Sequence, residues 1–208
     1  MELQQNNKAK LITKSQQFVL ASSSQTRIKK AKEIFQNIKA VKHRIDEESE
    51  KQKNKNNSAR KQAEMLARKK VESIKNDFPE QIIIASDQIL ECEGKVISKP
   101  ENMKEAARNI AYLTGKNHKL YSAICVFDQK KLFFEESKMA EIHFKKIGEK
   151  EINDYLYKNK ETALNSVGSY KIEDNHKYNF IKVISGDLET IIGFPLNNFL
   201  TQLGNKQI

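Results

Sequence analysis

The sequence predicts an α/β fold, and three observations lead to that prediction. A short apolar strand at residues 18–21 runs through three serines into an amphipathic helix. A second amphipathic helix then precedes the triple isoleucine of QIIIASDQIL, residues 81–90. An uninterrupted apolar run of this length is typical of a strand that is buried on both faces. Strands that alternate with helices in this way favour a sheet covered by helices.

The first half of the chain contains a strand–helix–loop–helix–strand unit. Apolar residues recur at helical spacing over residues 26–38, which predicts a helix with Ser24 as its N-cap. Residues 46–58 carry dense charge and no apolar side chain, so we expect an exposed loop there. The helix expected next, over residues 58–76, has an inner stripe formed by Ala63, Leu66, Ala67, Val71 and Ile74.

The second half adds further strands and helices around a few turn signals. Glu93-Gly94 predicts a hairpin turn after the central strand, and Gly115 predicts the end of a helix that begins at Glu101. The remaining expected elements are two long strands at 118–127 and 131–146, a helix over 148–160, and a tail at 168–200 with two strand-like runs and a short closing helix.

Composition excludes several classes of protein. No apolar run approaches the roughly 18 residues that a membrane span needs, and residues 1–17 lack the hydrophobic segment of a secretory signal. We expect those residues to form a flexible extension before a single domain over 18–208. Cys92 and Cys125 are the only cysteines and they have no CxxC spacing, which argues against a disulfide framework and a cysteine-based zinc site and favours the cytoplasm.

The formal charge of +10 raises the question of a nucleic-acid partner. Lysines are spread along the whole chain, a pattern that fits solvated helix faces better than one binding groove. The aromatic residues lie mostly in apolar strands rather than on a surface that could stack on bases. We therefore expect no stable nucleic-acid partner and no membrane association.

The three serines after the first strand allow two interpretations. Ser24 either simply caps the following helix or helps the free backbone N–H groups of the helix N-terminus to bind an anion. Arg27 lies in the first turn, where its guanidinium could reach a phosphate. The turn has no glycine signature, so it is not a Walker A loop.

Asp87 is the second candidate for chemistry, since we expect it at the carboxyl end of the central strand. Ligands bind at that end of open α/β sheets, where a carboxylate could hold a divalent cation or activate water. The alternative is a turn aspartate that only ends the strand. Other candidates, each weak alone, are the cations Lys70 and Lys99, which precedes a proline, and the acidic pair Asp46-Glu47. Carboxylates for a metal and cations for phosphates are the parts needed for phosphoanhydride chemistry.

In this order, the residues resemble the Maf family of nucleoside triphosphate pyrophosphatases over roughly residues 18–200. The matching segments are LASSSQTR at 20–27, Asp46-Glu47, Lys70, Ser86-Asp87-Gln88, Lys99-Pro100, Gly115 to His118, GSYKIE at 168–173 and GDLETIIGFPL at 186–196. The resemblance implies a mixed, twisted central sheet flanked by helices, in a two-lobed fold related to the inosine triphosphatases, with a cleft between the lobes. It also allows a homodimer.

The activity that the resemblance implies is hydrolysis of the α–β phosphoanhydride of a nucleoside triphosphate to the monophosphate and pyrophosphate. Asp87 would act as the base and help to hold Mg²⁺ or Mn²⁺, while Asp46 and Glu47 would either complete the metal shell or order their loop on binding. The phosphates would be bound by the serine turn, including Ser24, and by three cations, Arg27, Lys70 and Lys99. The nucleobase would be contacted by Thr26, Gln88 and Glu173.

The chain departs from the family pattern after the serine turn, where Gln25 and Thr26 replace a proline and a residue that is often arginine or tryptophan. Ser-Asp-Gln together with Glu173 resembles the branch acting on 7-methyl-GTP more than the branch acting on dTTP and UTP. An alternative function is a catalytically weak regulatory or binding protein of the same fold that is linked to cell-division arrest.

Overall fold

The computed structural model describes residues 16–205, so most of the predicted extension, residues 1–15, lies outside the described part of the chain. The sheet has seven strands, six of them in the order β2-β1-β3-β5-β6-β7, with β4 paired to β3. Their bounds are β1 Phe18–Ala21, β2 Ile38–Val41, β3 Ile82–Cys92, β4 Lys95–Ile97, β5 Asn117–Asp128, β6 Lys131–Phe144 and β7 Ile181–Ser185.

The sheet is mixed, as the family resemblance implies. Strand β1 pairs in parallel with both β2 and β3, whereas β4 runs antiparallel to β3 and β7 antiparallel to β6. The helices are α1 Gln25–Ile34, α2 Glu47–Lys53, α3 Ala59–Glu72, α4 Met103–Leu113, α5 Glu149–Lys158, α6 Lys160–Asn165, α7 Asn175–Tyr178, α8 Leu188–Ile192 and α9 Asn197–Asn205. None of these described helices has the length and apolarity needed to cross a membrane.

The described chain divides into two compact units, and the first consists of residues 16–87, 123–137 and 193–205. Its apolar core joins β1 and the start of β3 to α1 and α9. Phe35, after α1, packs on Phe18 with ring centroids 4.5 Å apart and on Phe199 with centroids 6.4 Å apart. All five residues of the inner stripe predicted for the second helix are buried, which confirms the stripe, although α3 ends at Glu72 and Ile74 lies just beyond it.

The second unit consists of residues 88–122 and 138–192. Helices α4, α5 and α6 contribute to its apolar core, together with the later parts of β3 and β6. The predicted hairpin turn is confirmed, since Glu93 and Gly94 both have positive φ angles, 52° and 76°, between β3 and β4. A two-residue turn with two positive φ angles matches the right-handed twist of the strands that it joins.

Two predicted elements in the first unit are corrected by the structure. The helix predicted over residues 26–38 ends at Ile34, because Phe35 is extended and Ile38 begins β2, which pairs with β1. The loop predicted over 46–58 contains α2, a helix with no buried residue. Its N-cap Asp46 accepts a hydrogen bond from the Ser49 amide, 3.1 Å away. Acidic side chains in its first turn and lysines in its last turn complement the helix dipole, so cap and charge form a helix that lacks an apolar stripe.

The tail also differs from the prediction. Only one of the two predicted strand-like runs is a strand within the described residues, and this is β7. Residues 167–178 form two short 3₁₀ turns and α7, where GSYKIE turns through Gly168. The closing helix is confirmed as α9.

Candidate active site

Strand β3 places Asp87 in its interior rather than at its end. The strand continues to Cys92 because apolar residues resume at Ile89 and Leu90 and because its last residues pair with β4. Asp87 is only 4% exposed. The prediction that Asp87 ends the strand is therefore wrong, and so is the interpretation of this residue as a turn aspartate.

Lys70 of α3 joins Asp87 to a second carboxylate. Its Nζ lies 2.5 Å from Asp87 Oδ1 and 3.1 Å from Glu47 Oε1. The Lys70 side chain is 4% exposed, so this ammonium is almost wholly removed from water. A lysine in that environment is stable only with its charge paired, and here two carboxylates share that pairing.

Glu47 has a further partner in His43, whose Nε2 lies 3.0 Å from the same Oε1. Partial burial of Glu47 opposes its ionisation and by itself raises its pKa. The hydrogen bonds from His43 and Lys70, together with the charge of Lys70, outweigh that effect and hold the pKa of Glu47 well below its usual range. Glu47 is therefore a carboxylate throughout the physiological pH range.

Arg27 is held by backbone carbonyls next to this cluster. Its Nε donates to Gly193 O at 3.0 Å and its Nη1 to Ser86 O at 2.7 Å. The Ser86 hydroxyl contacts the same Gly193 oxygen at 2.7 Å. Burial lowers the pKa of Arg27, and the charges of Asp87 and Glu47 oppose that shift. Two of the five guanidinium N–H donors are used in these bonds, and the remainder can serve an anion.

The serine turn is built partly by its own side chains. Ser22 Oγ accepts a hydrogen bond from the Ser24 amide at 3.1 Å. Ser24 occupies the N-cap position of α1 with an extended backbone, but its side chain makes no capping hydrogen bond. Thr26 is half-buried in the first turn of α1. The structure therefore supports Ser24 as the cap by backbone position only, and its hydroxyl is not used for capping.

The predicted metal set of Asp87, Asp46 and Glu47 is only partly brought together. Glu47 and Asp87 share Lys70, whereas the exposed Asp46 uses its carboxylate to cap α2. Over residues 16–205, no group of three or more histidine, cysteine or acidic side chains could hold a metal ion. Two carboxylates nevertheless suit Mg²⁺, which proteins usually bind through one or two carboxylates plus substrate phosphates.

Three predicted substrate residues belong to the second unit. The Gln88 amide nitrogen contacts Ser122 Oγ at 3.0 Å and the carbonyl oxygens of Thr190 and Ile191 at 3.0 and 2.9 Å. Gln88 therefore anchors α8 with its amide nitrogen and retains its carbonyl oxygen as an acceptor. Lys99 is exposed between β4 and α4, and Glu173 is exposed in a 3₁₀ turn.

A family model described as Maf-like protein matches residues 17–206 of the chain. The chain belongs to the Maf family. A 7-methyl-GTP pyrophosphatase of Bartonella henselae is 32% identical over 190 residues, which cover 91% of this chain and 96% of that protein. A dTTP/UTP pyrophosphatase of Fusobacterium nucleatum is 33% identical over 187 residues, covering 89% and 93%. Among solved structures, the Staphylococcus aureus Ham1 protein matches 64% of this chain and 73% of its own, with a TM-score of 0.43 and 15% identity.

Two of the Maf motifs in this chain are joined inside the second unit. His118, which ends the Gly115 to His118 run, is 2% exposed, and its Nε2 lies 2.5 Å from the hydroxyl of Tyr170 in GSYKIE. Burial, aided by the nearby charge of His143, lowers the pKa of His118 to about 4. His118 is therefore a neutral core residue, and these motifs have a structural role in this Maf protein.

Sequence reasoning gave no role to three residues that build the site of this Maf protein: His43, Ser86 and Gly193. His43 stands four residues before Glu47, but this spacing predicts contact only within one helix, and α2 begins at Glu47. Ser86 belongs to the Ser-Asp-Gln motif, but the sequence does not indicate that this serine is fully buried. The Gly193 contact joins residues 166 positions apart, so no local sequence pattern could have indicated it.

Proposed function

We propose that this Maf protein is a nucleoside triphosphate pyrophosphatase that releases pyrophosphate and leaves a nucleoside monophosphate. The buried cluster of Glu47, Lys70 and Asp87 is the observation that carries the proposal, because a protein spends free energy to bury such charges. Arg27 and the serine turn belong to the same compact unit. The names of the relatives support the same reaction.

The reaction assigns a role to each of these groups. A water oxygen attacks the α-phosphorus, the bond from that phosphorus to the bridging oxygen breaks, and pyrophosphate leaves. Asp87 orients the water and accepts its proton. Arg27 and the backbone N–H groups at the start of α1 hold phosphate oxygens. Lys70, which the family resemblance assigns to the phosphates, is paired with Asp87 and Glu47, so in our proposal it keeps the Asp87 carboxylate in place instead.

The residues also fit a divalent cation, Mg²⁺ or Mn²⁺, which Asp87 and Glu47 would hold. When bound, the cation supplies positive charge that stabilises the negative charge on the phosphate oxygens. Asp46 is the weakest member of the predicted set, because capping of α2 already uses its carboxylate. In our proposal it orders the segment that carries Glu47.

The nucleobase is the finer part of the proposal. Thr26, Gln88 and Glu173 are assigned to the base, and a carboxylate at Glu173 suits the N–H edge of a guanine. Relatives named for 7-methyl-GTP and for dTTP/UTP are almost equally identical to this chain, at 32% and 33%. We propose a methylated guanine nucleotide as the preferred substrate on the basis of Glu173 and the Ser-Asp-Gln motif.

Asp87→Asn tests the reaction. We expect it to lower pyrophosphate release at least 100-fold, since an amide cannot accept the proton of water at neutral pH. The purified protein is incubated with normal and methylated nucleoside triphosphates and Mg²⁺ or Mn²⁺, and pyrophosphate and phosphate are measured separately. Asp154→Asn makes the same change on the exposed face of α5 and should leave turnover unchanged. Wild-type turnover in Asp87→Asn would exclude Asp87 as the base.

Glu173→Gln tests the assignment of the base. We expect hydrolysis to persist while the ratio of kcat/KM values for 7-methyl-GTP and UTP falls about tenfold, the magnitude of one lost charged hydrogen bond. Glu149→Gln, at an exposed position of α5, is the matched control. An unchanged ranking of substrates would show that Glu173 does not select the nucleobase.

Location and assembly complete the proposal. We propose that the protein acts in the cytoplasm, on free nucleotides, and that it forms a homodimer. Analytical ultracentrifugation of the purified protein would measure its oligomeric state. A monomer at micromolar concentration would contradict it.

A further inference from the structure

His43 is a buried histidine that the reaction described above does not use. It lies between β2 and α2 and is 9% exposed. Its Nε2 lies 3.0 Å from Glu47 Oε1, while its Nδ1 is buried and has no hydrogen-bond partner among the described residues. Because a carboxylate oxygen can only accept, the contact requires the proton on Nε2.

The contact matters because little else fixes the Glu47 side chain. Helix α2 has no buried residue, so no apolar packing anchors the helix that carries Glu47. Glu47 Oε1 lies within 3.1 Å of Lys70 Nζ, and Lys70 in turn reaches Asp87. One oxygen atom thus receives hydrogen bonds from both His43 and Lys70, and together these donors set the direction of the carboxylate.

We propose that His43 is a positioning residue that aims the Glu47 carboxylate toward Lys70 and Asp87. The inference rests on the proposed function and extends it by one residue. His43 acts only through Glu47. It resembles the outer partners of metal-binding side chains, which orient a ligand without touching the ion and whose loss typically costs about 10–100-fold in metal affinity or activity.

Two substitutions separate positioning from simple filling of space. His43→Gln places an amide N–H near the position of Nε2 and keeps the donor, whereas His43→Leu fills similar volume and removes it. His143→Leu, in which the replaced histidine lies on β6 of the second unit, is the matched control. Thermal unfolding of each variant checks that the protein is folded at the assay temperature.

The first measurement is the binding of Mn²⁺ alone, without nucleotide. Binding is monitored through the loss of the electron paramagnetic resonance signal of free Mn²⁺. We expect His43→Leu to weaken binding about tenfold, and His43→Gln and His143→Leu to remain within about threefold of wild type. Equal binding by all four proteins would overturn the inference, as would a wild-type protein that binds no Mn²⁺.

The second measurement is the kinetics of pyrophosphate release. We expect His43→Leu to lower kcat about tenfold with KM nearly unchanged, and His43→Gln to restore most of it. An active wild-type protein whose His43→Leu variant keeps its kcat would overturn the inference and leave the proposed function intact. A wild-type protein that hydrolyses no nucleotide would refute the proposed function, and the Mn²⁺ measurement would still decide whether His43 positions Glu47.

Discussion

Replacement of Lys70 by methionine tests the buried charge cluster most directly. Methionine preserves the length and most of the volume of the side chain and removes only the ammonium. Asp87 and Glu47 then lose the cation that they share at 2.5 and 3.1 Å. Two carboxylates in one poorly solvated site repel each other, so the folded protein should be destabilised.

The size of the effect follows from the burial of the three side chains. Removing one partner of a buried ion pair typically costs about 3–5 kcal/mol. The Glu47 side chain is 30% exposed, and water will screen part of its charge, so we expect the lower value, about 3 kcal/mol. For a chain of this size, about 1 kcal/mol changes Tm by about 2–4 °C, which gives a decrease of about 6–12 °C.

The assay is thermal unfolding of Lys70→Met beside Lys69→Met. Lys69 is the neighbouring residue on α3 and pairs with Glu50 at the surface, where its side chain is 39% exposed. An exposed pair contributes about 0–1 kcal/mol, so this control should melt within a few degrees of wild type. If both variants melt at the same temperature, the description of Lys70 as a buried, paired charge is wrong.

The pH dependence of the same comparison has a definite sign. In the wild-type protein the low pKa of Glu47 contributes stability above the pKa of the unfolded chain, and this is lost as the pH falls through the folded value. Lys70→Met removes much of that contribution. The difference in Tm between the two proteins should therefore be nearly constant above about pH 4.5, the ordinary pKa of a glutamate, and should shrink as the pH falls below it.

Two further predictions concern the core of the second unit. His118 has a pKa of about 4 in the folded protein, so the unfolded chain binds more protons between about pH 4 and 6.5, and stability should fall across that window by up to about 3 kcal/mol as the pH is lowered. Urea unfolding should show this fall in wild type and in His176→Gln but not in His118→Gln. Gly168→Ala should lower Tm more than Gly94→Ala: both glycines have positive φ, but only at Gly168 would the new Cβ meet a core atom, Leu90 Cδ1, at 2.6 Å. Equal losses in the two alanine variants would show that backbone strain, rather than packing, governs Gly168.

Sequence patterns were sufficient where one period or one turn residue determined an element. The start of the central strand, the buried stripe of the second helix and the hairpin at Glu93-Gly94 were predicted in this way, whereas the end of the central strand was not. Patterns failed where partners distant in sequence decided the outcome. Ile38 fits helical spacing as well as a strand, and only pairing with β1 selects β2.

The residues of the candidate site likewise fall into those that the sequence could predict and those that it could not. Asp87, Lys70 and Glu47 were found because each has a place in the family pattern, and the structure brings them together. The sequence could not indicate that Asp46 caps α2 or that His43 contacts Glu47, because both facts depend on a helix that lacks apolar periodicity. The sequence also could not indicate that the Gln88 side-chain amide donates hydrogen bonds to the carbonyl oxygens of Thr190 and Ile191 in α8.

The interleaved course of the chain has a consequence for the order in which the protein folds as it is synthesised. Residues 88–122 and 138–192, which form the second unit, have all been made before α9 emerges. The first strand, in contrast, shares its core with Phe199, so the unit that carries Asp87 and Lys70 can close only after nearly the whole chain has left the ribosome. A chain truncated before α9 should therefore retain a folded second unit while the apolar surface of β1 and α1 stays exposed to chaperones.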